Sequence, residues 1–547
     1  MAKRLGDLLK EKNLITDEHI KVAIAHQKIT GELLGDILVK LGFISSKERA
    51  MILAEQAGIE FLDMETYTLS EEALRLVPKT IAERFQFLPV GFEDGRLIIA
   101  VTKTGNIQAV DMATKISKKS PKICLMDSEL FSDLLEKAYF FLENPIEKHI
   151  DKITEDIKKA GNPQGEDIVS LVDLLVLDAI RKRSTDIHLT PIEYALNIFY
   201  RIDGVLQHQY CLPKNTYQGL ISRIKILSSL DIAETRLPQD GGFTFKFSNK
   251  EYDIRVSFIP TLYGQNCVLR ILASNISLLR LELLGFSESN IKVLSELFQR
   301  PNGIVLITGP TGSGKTTTLY AGLRMINLLQ RNVITMEDPV EYKLNFVRQS
   351  QVHERIGYNF STAAKTFLRQ DPDVILLGEI RDLDSANIAI RASITGHLVL
   401  SSLHTNDAVT AIPRLIDLGA DRFLVSSSLL GIVAQRLLRT ICPFCKESYD
   451  PPQEELEYLK SLGVSERKLW KGRGCGKCND TGYLGRTAIA EVMSVNEELR
   501  ELIYQGASVG TLKAAAIKSG MVPMLKDGVN KVLEGRTTPS ELKRVLG

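Results

Sequence analysis

The chain has 547 residues, with 68 Lys plus Arg against 67 Asp plus Glu for a formal charge of +1, and is 44% apolar and 25% charged. At roughly 150 residues per domain this length implies three or four domains, and the composition excludes wholesale disorder. Near-neutrality lacks the basic footprint of a protein that grips nucleic acid, the charged start MAKRLGDLLKEKNL excludes a signal-peptide core, and no run approaches 18 apolar residues, so any membrane contact is expected to be peripheral.

The first 56 residues repeat at an offset of 29: Leu5/Leu34, Gly6/Gly35, Asp7/Asp36, Leu9/Leu38, Ala25/Ala54 and Gln27/Gln56 match. Each unit reads as two short helices around a turn at Asn13 or Gly42, with Thr16/Asp17 or Ser45/Ser46 as N-caps. FLPV, GRLIIAVT and KICLM then read as short strands and ELFSDLLEKAYFFL as a helix. From Glu143 to Asp167 the composition turns charged and ends in AGNPQGED, which predicts a linker. IVSLVDLLVLDAIRKR opens a second domain, and ALNIFYRIDGVLQ, GGFTFKF, YDIRVSFIP and CVLRIL read as strands of a mostly antiparallel sheet. ASNISLLRLELLGF reads as a second linker.

Over residues 286–440 the pattern becomes helix, strand, glycine loop, helix and further strands at βαβ spacing, a parallel α/β nucleotide-binding core. GIVLITGPTGSGKTTTLY places GxxxxGK[ST] directly after an apolar strand and before a helical run, the context such a phosphate loop requires. Its backbone N–H groups and the helix N-terminus supply fixed positive potential, Lys315 reaches the β/γ-phosphates and the Thr316 hydroxyl is placed for Mg²⁺. Hydrolysis further needs acids beside that loop. VITMEDPVEY ends a strand in Glu337 and Asp338, and DPDVILLGEIRD ends another in Gly378 and Glu379. His404 ends HLVLSSLH and could report on the γ-phosphate. Among seven cysteines, Cys442, Cys445, Cys475 and Cys478 form two CxxC pairs, a closed four-thiolate pattern that predicts structural zinc and a reducing, cytosolic compartment.

These motifs in this order resemble the secretion ATPases of type IV pilus assembly and type II secretion, the PilB/GspE family, over nearly the whole chain. GPTGSGKTTT resembles the family's Walker A, ITMEDPVEY its Asp box, RQDPDVILLGEIRD its Walker B region and TGHLVLSSLHTNDA its His box. The resemblance implies a multidomain α/β protein. A RecA-like P-loop ATPase core would span 286–547, including a zinc-bound tetracysteine element at 440–480 and C-terminal helices at 495–547. A preceding α+β, PAS-like domain would span 168–273 and an N-terminal helical-repeat α/β domain 1–142, with linkers at 143–167 and 274–285.

The resemblance further implies that ATP is held by Gly309, Pro310, Thr311, Gly312, Ser313, Gly314, Lys315, Thr316 and Thr317. Glu337 and Glu379 would be the acids that organise Mg²⁺ and water, and His404, with His397, would face the γ-phosphate. Arg255 and Arg270 would reach a neighbour's nucleotide, since a permanent guanidinium supplied in trans makes hydrolysis depend on assembly. Thr190 and Ser402 depart from the family pattern. The implied particle is a cytoplasmic homohexamer at the inner face of the inner membrane, working with a platform protein and a membrane-anchor protein. The tetracysteine element favours pilus extension or export over retraction. The 29-residue repeat resembles a cyclic di-GMP-binding motif, although Leu33 stands where that motif has arginine; the alternative is a helical module that docks on a membrane anchor. Pilus assembly leads and type II secretion is the alternative, while a nucleic-acid motor is disfavoured by the charge balance and a non-hydrolysing P-loop protein by the intact Lys315, Thr316, Glu337 and Glu379.

Overall fold

The computed structural model describes residues 4–12, 14–64, 67, 69–161, 163–272, 280–353, 356–464 and 468–547. It divides into two compact units, 1–274 and 275–547.

In the first unit the repeat folds as four helices, Leu5–Glu11, Asp17–Thr30, Leu34–Lys40 and Ser46–Ala57. Thr16 and Ser45 cap the second and fourth through reciprocal bonds with His19 and Glu48, satisfying amide donors that the first helical turn leaves orphaned. The repeat-mates Leu9/Leu38 and Ile15/Ile44 are all buried in one core, so the sequence repeat is a repeat of packing positions. A four-stranded sheet follows: β1 (Glu60–Phe61), β2 (Phe87–Glu93), β3 (Arg96–Val101) and β4 (Lys122–Leu125), in the order β1-β4-β3-β2.

The stretch read as the 143–167 linker contains the helix Ile146–Ala160, and a 17-residue helix already begins at Gly165. Ile146 and Ile150 are buried in the same core as Leu171, Leu175 and the following sheet, and Thr154 and Ile157 continue the buried stripe along the helix. Four- and three-residue spacing on one helical face carries these apolar contacts even where the average composition is charged. That sheet is antiparallel throughout: β5 (Ser184–Pro191), β6 (Ala195–Ile202), β7 (Val205–Pro213), β8 (Gln239–Phe247), β9 (Lys250–Thr261) and β10 (Gly264–Leu272), in the order β7-β6-β5-β10-β9-β8. Of the second expected linker, 274–279 lies outside the described residues. Leu281 and Phe286, just beyond, are buried with Leu294 and Leu297 and belong to the second unit's core.

The second unit is built on a seven-stranded sheet. Its strands are β11 (Gly303–Thr308), β12 (Val333–Glu337), β13 (Val347–Gln351), β14 (Val374–Leu377), β15 (Leu398–Leu403), β16 (Leu429–Ile441) and, after the small hairpin β17 (Lys446–Tyr449) and β18 (Leu469–Gly472), β19 (Tyr483–Ser494). The order is β13-β12-β14-β15-β11-β16-β19, parallel except for β19. All six residues of β11 and of β15 are buried, as expected of central parallel strands covered on both faces. Parallel strands bring the loops after β11, β12, β14 and β15 to one edge, where sequence-distant motifs can meet. Among the described residues no helix is long and apolar enough to cross a membrane.

Candidate nucleotide site and metal centre

Residues 309–314 turn between β11 and the helix Lys315–Met325. Gly309 has φ +147°, and a Cβ there would lie 2.5 Å from the Gln435 carbonyl oxygen. Gly314 has φ +88° at the helix N-cap; side chains are disfavoured at both positions. Lys315 Nζ donates to the carbonyls of Gly309 (2.8 Å) and Pro310 (3.2 Å), so the ammonium already lies over the loop. Burial pulls its pKa below the usual lysine value. The Thr308 and Thr405 hydroxyls pair at 2.6 Å and the Thr405 N–H donates to Thr308 Oγ1 at 2.9 Å, which ties the His404 loop to the end of the phosphate-loop strand.

Glu337 ends β12 and is 4% exposed. One carboxylate oxygen accepts from the Tyr320 hydroxyl; the other accepts from Thr335 Oγ1 (2.6 Å) and Gln349 Nε2 (3.3 Å). Burial, then the bond to Glu337, drives the Tyr320 phenol far above its usual range, so Tyr320 is a permanent donor at neutral pH. Glu379 follows β14 by one residue, and Gly378, between them, donates to the Met336 carbonyl at 2.8 Å, so the two acidic segments are neighbours. Ser402 Oγ donates to the Gly378 carbonyl at 2.8 Å; a hydroxyl suffices there, whatever the family's usual residue. Glu379 binds the Arg381 guanidinium and approaches His404 Nε2 at 3.3 Å. Burial first, then the charges of Lys315 and Arg381, lowers the His404 pKa. Lys315, Glu379 and His404 therefore share one electrostatic neighbourhood at the carboxyl edge of the sheet.

His397 does not join them. Its carbonyl accepts from Gly303 N–H at the start of β11, and its Nδ1 lies 2.8 Å from the Ala392 carbonyl. It precedes β15, and six residues of strand at about 3.3 Å each separate it from the phosphate-loop edge. Two histidines in one motif sit at opposite ends of the strand between them.

Arg255 and Arg270 lie in the first unit, directly opposite each other on β9 and β10. The same row continues to Asp186 on β5 and Arg201 on β6. Asp186 is 4% exposed; Arg270 Nε donates to it at 2.9 Å and Arg201 lies 3.7 Å away. Arg201 was not singled out from the sequence, because its strand-mates show only in the register. Tyr320, Gln349 and Gln435 were missed for the same reason: no local motif marks a residue whose partner is distant in sequence.

The four cysteines of the CxxC pairs converge, with sulfurs all within 4.8 Å of one another. Cys442–Cys475 and Cys445–Cys478 are 3.9 Å apart and Cys475–Cys478 3.7 Å. A tetrahedral ion with sulfurs at ~2.3 Å spaces them about 3.8 Å apart, so the donor set fits zinc. Amide N–H groups of Cys475 and Gly482 donate to the Cys478 sulfur at 3.2 and 3.3 Å.

Comparison with known proteins identifies the family and the fold. The profile described as "Type II/IV secretion system protein" matches residues 163–544, and an MshEN domain matches 57–142. A type IV pilus assembly ATPase, PilB, of Myxococcus xanthus is 39% identical over 559 aligned positions covering 99% of this chain and 98% of the relative. Type II secretion system protein E of Xanthomonas campestris is 37% identical over 99% of this chain and 98% of its own length. The Legionella pneumophila ATPase DotB shares the fold, with a TM-score of 0.51 at 21% identity over 68% of this chain and 94% of its own.

Proposed function

The chain belongs to the type II/IV secretion system protein family, and from that premise we propose that it is the ATP hydrolase that powers assembly of a type IV pilus, with pseudopilus assembly in type II secretion as the alternative. It is an ATPase of the P-loop class. The observation that carries the site assignment is the meeting of Lys315, Glu379 and His404 beside the loop after β11, with Glu337 at the end of β12, the strand paired with β14. In this reading residues 309–317 hold the nucleotide phosphates and Thr316 takes part in binding Mg²⁺. Lys315 compensates phosphate charge, Glu379 leaves Arg381 to serve the metal and water, and Glu337 orients the attacking water. Bound Mg²⁺ would draw charge from the phosphate oxygens. The tetracysteine cluster holds a structural zinc.

The working particle is a homohexamer at the cytoplasmic face of the inner membrane, with a platform protein as its mechanical partner. Arg255 and Arg270 act on a neighbour's nucleotide. The N-terminal repeat is either a cyclic di-GMP sensor or a docking module for a membrane anchor. Purified hexamer with and without Glu379→Gln tests the motor: the variant should bind ADP like wild type yet lose at least a hundredfold in turnover. Unaltered turnover would remove Glu379 from the mechanism. Response of wild-type turnover to cyclic di-GMP separates sensor from docking module, and loss of surface pili against loss of exported protein in a deletion strain separates the two machines.

A further inference from the structure

The phosphate loop is held from behind by a residue outside every motif. Gln435 lies on β16, one position beyond the Thr308–Ala434 pair, so it runs alongside Gly309. It is 1% exposed. Its Nε2 donates to the Ser313 carbonyl at 2.7 Å and its Oε1 accepts from Thr318 Oγ1 at 2.8 Å. One amide therefore bridges the end of the loop and the first turns of the helix that follows it. The two ends are not interchangeable: a carbonyl demands a donor and the Thr318 hydroxyl, itself 1% exposed, offers one. Methionine offers neither group, and an ionised glutamate can serve Thr318 but sets an acceptor against the Ser313 carbonyl.

The peptide plane gives this contact its consequence. In a trans peptide the C=O of Ser313 and the N–H of Gly314 are rigidly antiparallel. Holding the carbonyl towards β16 aims the Gly314 N–H away from it, together with the unpaired donors that open the Lys315–Met325 helix. The glycines reinforce the fit, since a Cβ on Gly314 would come within 3.1 Å of Gln435 Nε2. The Ser313 hydroxyl is buried and has no hydrogen-bond partner among the described residues, a polar group in the same turn that a phosphate oxygen could satisfy.

We infer that Gln435 is a positioning residue for nucleotide binding, which sets the Ser313–Gly314 peptide so that the loop's N–H groups face the phosphates before nucleotide arrives. This rests on residues 309–317 being the nucleotide site. A group that orients donors used equally by ground and transition states changes KM and Kd together and leaves kcat comparatively untouched. A role confined to folding would lower the active fraction and hence kcat.

The test uses full-length protein with ADP titrated calorimetrically and ATP turnover measured over substrate concentration. Gln435→Met and Gln435→Glu should each raise the ADP Kd and the ATP KM at least tenfold while kcat falls less than threefold. Thr318→Val, which frees only one end of the amide, should raise both about threefold and covers the case in which the Gln435 variants do not fold. Ser428→Ala, which removes a half-buried hydrogen bond to the Leu424 carbonyl just before β16, should move neither. ADP binding within twofold of wild type in the Gln435 variants, with only kcat or melting temperature reduced, overturns the positioning role alone. Wild-type protein that binds no ADP overturns the nucleotide-site reading, and this role with it.

Discussion

Glu337 is held by three donors, one of which, Tyr320, comes from the phosphate-loop helix itself. A hydrogen bond to a charged group is worth about 1.5–3 kcal/mol. Tyr320→Phe should therefore cost roughly tenfold or more in kcat with little change in ADP affinity, measured by steady-state turnover and calorimetry. An equal loss in both would make the tyrosine a binding group. His404 makes a second prediction. Burial and the neighbouring Lys315 and Arg381 charges hold its pKa below the usual 6.5, so it is neutral from that value upwards. Protonation in more acid solution would pair it with Glu379 and compete with a metal for that carboxylate. Turnover should stay level from about pH 7 to 8 and fall only below about pH 6.5. A His404→Asn variant should lose that acid limb; keeping it would assign the limb to another group.

At the scale of elements, β16 joins the two chemical centres of the second unit. Gln435 flanks the phosphate loop, Arg439 donates through Nε and Nη2 to one carboxylate oxygen of the buried Glu541 of the C-terminal helix Pro539–Leu546, and Cys442 follows the strand directly. The tetracysteine centre thus begins at the end of the strand that runs beside the phosphate loop. Removal of zinc by a strong chelator, or Cys445→Ser, should release about one zinc per chain and lower the melting temperature by several degrees, because structural zinc contributes directly to folding. Elemental analysis alongside thermal unfolding checks this, and full stability without metal would leave the cysteines as reduced core thiols. The helix Ile146–Ala160 makes the same point about elements. Ile146 and Ile150 bind it into the core of the β5–β10 domain, so a boundary drawn from charge content alone falls in the wrong place.

At the scale of the whole molecule, the Arg255–Arg270–Asp186–Arg201 row occupies one unit and the phosphate loop the other. If these arginines act in trans, subunits lacking them and subunits lacking the loop lysine can complement. A mixture of Arg255→Ala and Lys315→Ala chains, each inactive alone, should recover a measurable fraction of wild-type turnover after co-assembly. No recovery from verified mixed hexamers would place the arginines in cis or outside the reaction.

The sequence by itself determined the phosphate loop, the strand-end acids, the cysteine pairs and the repeat, because each is a local pattern: residues that share a loop, a strand end or a turn are close in sequence as well as in space. It also located the antiparallel and parallel sheets, whose alternating and continuous apolar runs differ. What only the tertiary structure decided were the partnerships across the sheets: Tyr320 with Glu337, Gln435 with Ser313, Arg201 in the arginine row, and His397 at the far end of its strand from His404. Strand order and register set those meetings, and both arise from packing whole elements over one core, which no short window of residues encodes.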